Sequence, residues 1–121
     1  MSERLAKRVA AFLGFFGVLF GAFGAHLLSG RLGESGTTAI WQTGVLYHLL
    51  HAVVLLVLSG WRPVPRTAYN LILAGVGIFS GSLYILALTN IKWFGAITPL
   101  GGLCMLAGWL VLAFQSAEGA K

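Results

Sequence analysis

Four long stretches of this sequence contain no Asp, Glu, Lys or Arg: Val9 to Gly30, Ser35 to Trp61, Thr67 to Ile91 and Trp93 to Ala117. Each exceeds the roughly 20 residues that a helix rising about 1.5 Å per residue needs to cross about 30 Å of hydrocarbon. With no water in the bilayer core to satisfy backbone amides, a spanning segment must be a helix or part of a closed barrel. A barrel strand would alternate with period 2, whereas these runs are continuously apolar. The expected fold is an all-α membrane protein. It is a single domain over residues 1–121, with transmembrane helices at about 9–28, 38–58, 68–89 and 94–116 packed as an antiparallel bundle.

Charge content agrees with this. Only 9% of the residues are charged and the mean hydropathy is +0.88, so a soluble surface could not be clothed. The net charge of +5 does not point to nucleic acid, because the bases are scattered at helix ends with no basic stripe interleaved with exposed aromatics. It points to orientation. Four spans put Arg4, Lys7, Arg8, Arg62, Arg66 and Lys121 on one side and Arg31 and Lys92 on the other, so both termini are expected in the cytoplasm. The basic head, apolar core and Ala22-Phe23-Gly24 also have the outline of a signal peptide; the expectation is a retained first helix.

Small residues recur at helical spacing. Gly14, Gly17, Gly21 and Gly24 form one stripe of the first helix, with Phe15, Phe16, Phe20 and Phe23 on other faces. Gly77 and Gly81 lie in the third helix; Gly101, Cys104 and Gly108 repeat the spacing in the fourth. In lipid such seams associate through dispersion contacts and weak Cα–H hydrogen bonds rather than through hydrophobicity, so these glycines are expected to pack helices. Cys104, the lone cysteine, is expected to be one more small packing residue. Pro99 predicts a kink or a late start of the fourth helix. The segment Ser29 to Thr37 is expected to be a polar turn, and Gly60 to Arg66 a short proline-bearing loop.

Against this apolar background the stretch Trp41 to His51, WQTGVLYHLLH, is unusual. A polar side chain in hydrocarbon must face protein, a cofactor or trapped water. Gln42, Tyr47, His48 and His51, with Ser80, Ser82 and Tyr84 at similar depth in the third helix, are expected to make a polar interior. The spacing of His48 and His51 sets both imidazoles on one helix face. His26, at the outer end of the first helix, is expected to cap that helix or to bond Glu34, Trp41 or Gln42.

Two histidines are too few for a structural or catalytic zinc site, and no Asp, Glu or Cys lies at matching depth, so no metal site is expected. No cofactor is required. If a lipid, quinone or haem does lie between the helices, His26, His48 and His51 are the residues that would touch it. Enzymatic activity is not expected: the only acids are Glu3, Glu34 and Glu118, and neither a nucleophile–base arrangement nor a Gly-rich phosphate loop is present.

The strings GAFGAHLL (Gly21 to Leu28), WQTGVLYHLLHA (Trp41 to Ala52), FSGSLYILALTN (Phe79 to Asn90) and ITPLGGLCMLAGW (Ile97 to Trp109) resemble a family of small bacterial membrane proteins known as domain of unknown function 423. The resemblance covers nearly the whole chain. It implies a four-helix protein of the bacterial inner membrane with no assigned activity and no catalytic residue to carry over. His26 and His51 stand at matching positions, whereas the family commonly shows Tyr-Gln where this chain has Tyr47 and His48.

Three functional classes follow. The first is a structural or accessory membrane protein whose glycine seams pack with itself or with a larger complex. The second is an interhelical binder of lipid, quinone or haem. The third is an oligomeric transporter or channel with a path past His48, His51, Ser80 and Ser82; membrane lipids are the expected surroundings in all three, and nucleic acid in none.

Overall fold

A computed structural model describes residues 2–115. They form helices α1 (Glu3–His26), α2 (Ser29–Ser35), α3 (Thr38–Ser59), α4 (Arg66–Thr89) and α5 (Phe94–Phe114). All but α2 are long and apolar enough to span a bilayer. Residue 116, the expected end of the last helix, lies outside the described residues.

Local chemistry sets the ends. Helix α1 starts well before the charge-free run because the Ser2 hydroxyl accepts from the Leu5 amide at 3.1 Å and Glu3 occupies the first turn. Hydropathy marks where hydrocarbon begins, not where the helix does. Helix α4 ends on Asn90 at φ 56°, a left-handed cap that asparagine tolerates, with its amide donating to the Leu86 carbonyl at 2.7 Å. Pro99 sits inside α5, which begins at Phe94, so the late start does not occur.

The expected polar turn is instead mostly helical. Helix α2 runs from Ser29 to Ser35 and closes on Gly36 at φ 69°. Its Leu32 is 1% exposed and packs with Trp41 and Ala87. The Arg31 guanidinium donates to the Leu88 carbonyl (Nη2 at 2.6 Å, Nε at 3.2 Å), and the Thr37 hydroxyl to the Ala87 carbonyl at 2.8 Å. These bonds satisfy carbonyls that the last turn of α4 would otherwise leave open. Three glycines and two serines in nine residues outweigh the Leu28–Leu32 spacing, so the sequence alone points to a turn and only packing against α3 and α4 makes the segment helical.

The four spans form an open antiparallel bundle in which α1 packs on α3, α3 on α4 and α4 on α5, with no close backbone approach between α1 and α5. Around α3, residues Trp41, Val45, Leu49 and Ala52 meet the glycines of α1, Gly44 meets α4, and His51 reaches Trp109 of α5. The outer helices therefore lie on opposite sides of the α3–α4 pair. Two apolar clusters fill the ends: Ala6, Ala10, Leu55, Leu58, Tyr69 and Ile72 at one, and Leu32, Trp41 and Ala87, flanked by Phe20 and Tyr84, at the other. Between them lies the polar layer.

Candidate functional site

Side chains of α3 and α4 bond the backbone of α1 at three levels. The Tyr69 hydroxyl donates to the Ala6 carbonyl (2.6 Å), His48 Nε2 to the Leu13 carbonyl (2.7 Å), and Trp41 Nε1 to the Phe20 carbonyl (2.9 Å). The acceptors are seven residues apart, and the residue four positions after each is Ala10, Gly17 or Gly24. A helix carbonyl points toward the residue four ahead, so a small side chain there leaves the oxygen open to an outside donor. The α1 glycines thus do two things: they let α3 come close, and they uncover carbonyls for it to bond.

The packing at these glycines is with side chains. A β-carbon on Gly17 would lie 2.6 Å from Leu49 Cδ2, one on Gly24 would overlap the Trp41 indole, one on Gly21 would lie 3.3 Å from Val45, and one on Gly14 would make ordinary contact with Ala52 at 3.9 Å. On the other side of the molecule, Gly101 and Gly108 lie against α4: a β-carbon on Gly101 would fall 2.8 Å from the Gly75 oxygen and from Phe79 Cα, and one on Gly108 would lie 2.5 Å from Ile72. Gly75, which the small-residue spacing does not single out, completes that seam against Met105 and the Gly101 carbonyl. Gly77 and Gly81 do not pack helices as expected. Nothing lies within 4 Å of a β-carbon at either, because they fall on the face of α4 that no other helix covers.

The polar layer centres on His48, which is 5% exposed. A carbonyl can only accept, so in the neutral imidazole Nε2 carries the proton toward Leu13, and Nδ1 accepts the Tyr84 hydroxyl proton at 2.8 Å. Phe20 lies edge-on to His48, Tyr84 and Trp41, with ring centroids 5.1–6.1 Å away. His51 uses the opposite tautomer: Nδ1–H donates to the Tyr47 carbonyl at 2.8 Å, and Nε2 accepts the Trp109 indole proton at 3.1 Å. Neither imidazole keeps a free lone pair. Among the described residues, no group of three or more His, Cys, Asp or Glu is placed to hold a metal ion.

Several sequence expectations need correction. His48 and His51 do not share a face in any useful sense, since one points into the α1–α4 groove and the other toward α5. Gln42 is exposed and Tyr47 is 39% exposed, so neither belongs to the interior; Tyr47 instead stacks on His51 at 6.0 Å. His26 is exposed, and its side chain bonds none of the partners expected for it. Ser80 and Ser82 are buried, but each has its own partner. Ser80 donates to the Gly44 carbonyl at 2.8 Å, and Ser82 pairs with Thr98 at 2.6 Å across α4 and α5. They do not line a shared path with the histidines.

Trp109 and Tyr69 were missed. A tryptophan or tyrosine in an apolar helix reads as an interfacial anchor or as packing; only the neighbouring helix reveals an acceptor. Trp109 also walls a lateral cleft of about 490 Å³ between α3 and α5, lined by Tyr47, His51, Phe79, Pro99, Leu103 and Trp109 among others. Among the described residues every buried side-chain nitrogen and oxygen has a partner.

Comparison with known proteins agrees with the apolar helices. Residues 20–102 match the family model described as "Protein of unknown function (DUF423)". The chain is 44% identical over 105 residues to UPF0382 membrane protein YwdK of Bacillus subtilis (strain 168), covering 81% of this chain and 84% of the relative. It is 48% identical over 100 residues to a UPF0382 membrane protein of Staphylococcus haemolyticus, covering 79% and 81%. It is 39% identical over 117 residues to UPF0382 inner membrane protein YgdD of Escherichia coli (strain K12), covering 93% and 88%. No solved structure matches it. The four apolar spans and a family match across most of their length lead to one conclusion: this chain belongs to the DUF423 family of membrane proteins.

Proposed function

We propose that the protein is an accessory component of the bacterial inner membrane that acts by lateral association, with a second copy or a larger complex, and not as an enzyme. The observation that carries this reading is the closed hydrogen bonding of the interior: both histidines are committed on both ring nitrogens, and no buried polar side chain among the described residues awaits a ligand. Binding capacity then resides on the outer faces. The seams at Gly14, Gly17, Gly21, Gly24, Gly101 and Gly108 are occupied within the chain, leaving the α4 face with Gly77 and Gly81 for lateral contact. The basic end faces the cytoplasm by the positive-inside rule.

A photo-crosslinking residue at Ile78, exposed on that face, tests the reading in native membranes. The expected product is a second copy or one defined membrane protein, identified by mass spectrometry and lost when Gly77 and Gly81 are both changed to Leu. Lipid adducts alone would sink it.

A second reading, a bilayer-soluble ligand such as a lipid chain or quinone, is favoured by the aromatic-walled cleft at Tyr47, Phe79 and Trp109. Haem fits less well, since iron ligation by His51 would break the Trp109 bond. Mass spectrometry of organic extracts from purified protein tests it. A bound species retained by the unmodified protein and lost with Leu103→Trp supports it; extracts with no such species count against it.

A further inference from the structure

The two ends of the bundle differ in charge. At the end where α1 and α4 begin, Arg4, Lys7, Arg8, Arg62 and Arg66 are all exposed. The one acid there among the described residues, Glu3, is paired with Arg62 at 3.1 Å, and Arg62 also donates to the Ser59 and Trp61 carbonyls, which leaves Arg4, Lys7, Arg8 and Arg66 as the bases without an acid beside them among the described residues. The other end has Arg31, Lys92 and Glu34, and Arg31 turns its guanidinium onto the Leu88 carbonyl. Arg4, Lys7 and Arg8 are spaced three and four apart, so three like charges crowd one face of α1 at a cost in repulsion. The charge-free runs begin at Val9 and Thr67 and end at Trp61, which is 44% exposed, so these bases lie within about a turn or two of the hydrocarbon boundary.

We infer that this end is a binding surface for anionic phospholipid headgroups, with Arg4, Lys7 and Arg8 on α1, Arg62 in the α3–α4 connection and Arg66 at the start of α4 forming one basic rim. Headgroup phosphates lie at the depth of these bases and supply the missing counter-charge. A protein partner would have to bring acids to the same depth against the membrane surface. The Glu3–Arg62 pair shows that the start of α1 lies beside the α3–α4 loop, so the two groups of bases are neighbours on one surface. Lateral association is not needed for this surface to work.

The test uses the full chain in lipid nanodiscs of phosphatidylcholine alone or with 30% phosphatidylglycerol, read by retained lipid in native mass spectrometry and by thermal unfolding. Expected are preferential retention of phosphatidylglycerol and a raised unfolding temperature, both weakening as salt rises, with preference falling roughly fivefold for each base removed. Arg4→Gln/Lys7→Gln/Arg8→Gln and Arg62→Gln/Arg66→Gln should each lose most of the preference, while Lys92→Gln at the opposite end keeps it. Equal retention of both lipids by the unmodified protein, or equal loss with Lys92→Gln, would overturn the assignment. So would full stabilisation by inorganic phosphate in phosphatidylcholine discs. The salt dependence of the unmodified protein keeps the test valid if a multiple variant fails to fold.

Discussion

The α1–α3 and α4–α5 interfaces are both lined with glycine, yet the glycines serve different ends. Between α4 and α5, Gly75 and Gly101 bring backbone against backbone: a β-carbon on either would press on the other's carbonyl oxygen at 2.8–2.9 Å. Between α1 and α3 the space is filled by side chains, Leu49, Val45 and Trp41, and the glycines also uncover carbonyls that His48 and Trp41 bond. The first seam is closed by direct backbone approach, which dispersion and weak Cα–H contacts hold, with the Ser82–Thr98 hydrogen bond as its one polar side-chain link among the described residues. The second is a set of sockets for polar side chains, where each donor gains about 0.6 kcal/mol, up to about 1.7. Equal glycine spacing in a membrane sequence therefore does not imply equal mechanics.

The difference predicts a hierarchy of damage. Gly101→Leu should be the most disruptive, because the collision is with backbone and only a shift of the whole helix relieves it; we expect a loss of about 3 kcal/mol or more in reversible unfolding in mild detergent. If Gly17→Leu proved equally harmful, the contrast would fail, since there the collision is with the Leu49 and His48 side chains, which can shift at the cost of the His48–Leu13 bond, and the expected loss is about 1–2 kcal/mol.

Next in size is His48→Ala, which leaves the Tyr84 hydroxyl without its acceptor and should cost about 1–2 kcal/mol. His48→Gln, whose amide carries both a donor and an acceptor, should recover part of it. A smaller effect is expected at the α3–α5 contact. His51→Ala and Trp109→Phe should each cost about 1 kcal/mol or less, and a double-mutant cycle should show coupling near 0.6 kcal/mol; zero coupling would mean the bond contributes nothing in lipid.

Smallest of all, Gly77→Ala and Gly81→Ala should leave the monomer unchanged or raise its stability by up to about 1 kcal/mol through helix propensity, since both β-carbons enter open space. A loss of stability at either position would show that the exposed α4 face is covered when the protein is in the membrane, as lateral association requires.

The class of fold was legible in the sequence because a bilayer imposes a coarse constraint. Uncharged runs of sufficient length admit one structure, and the short connections at Gly60 to Arg66 and Thr89 to Trp93 force antiparallel neighbours. Level along the bundle was legible for the same reason: the sequence puts His48, Ser80, Ser82 and Tyr84 at similar heights, and His48 meets Tyr84 while Ser80 meets Gly44.

Partners were not legible, because a helix offers several faces at each depth and the choice among them depends on where its neighbours stand. The opposed positions of α1 and α5 about the α3–α4 pair send His48 and His51 to different grooves, although they are three residues apart. The same placement leaves Gly77 and Gly81 bare while Gly75, two residues away, is pressed against Met105. The heptad of Ala10, Gly17 and Gly24 was in the sequence throughout. Its meaning, three carbonyls uncovered for three donors, emerged only when Tyr69, His48 and Trp41 were seen to reach them. Chain order determines how deep a residue sits in the membrane; the lateral arrangement of helices determines what it touches there.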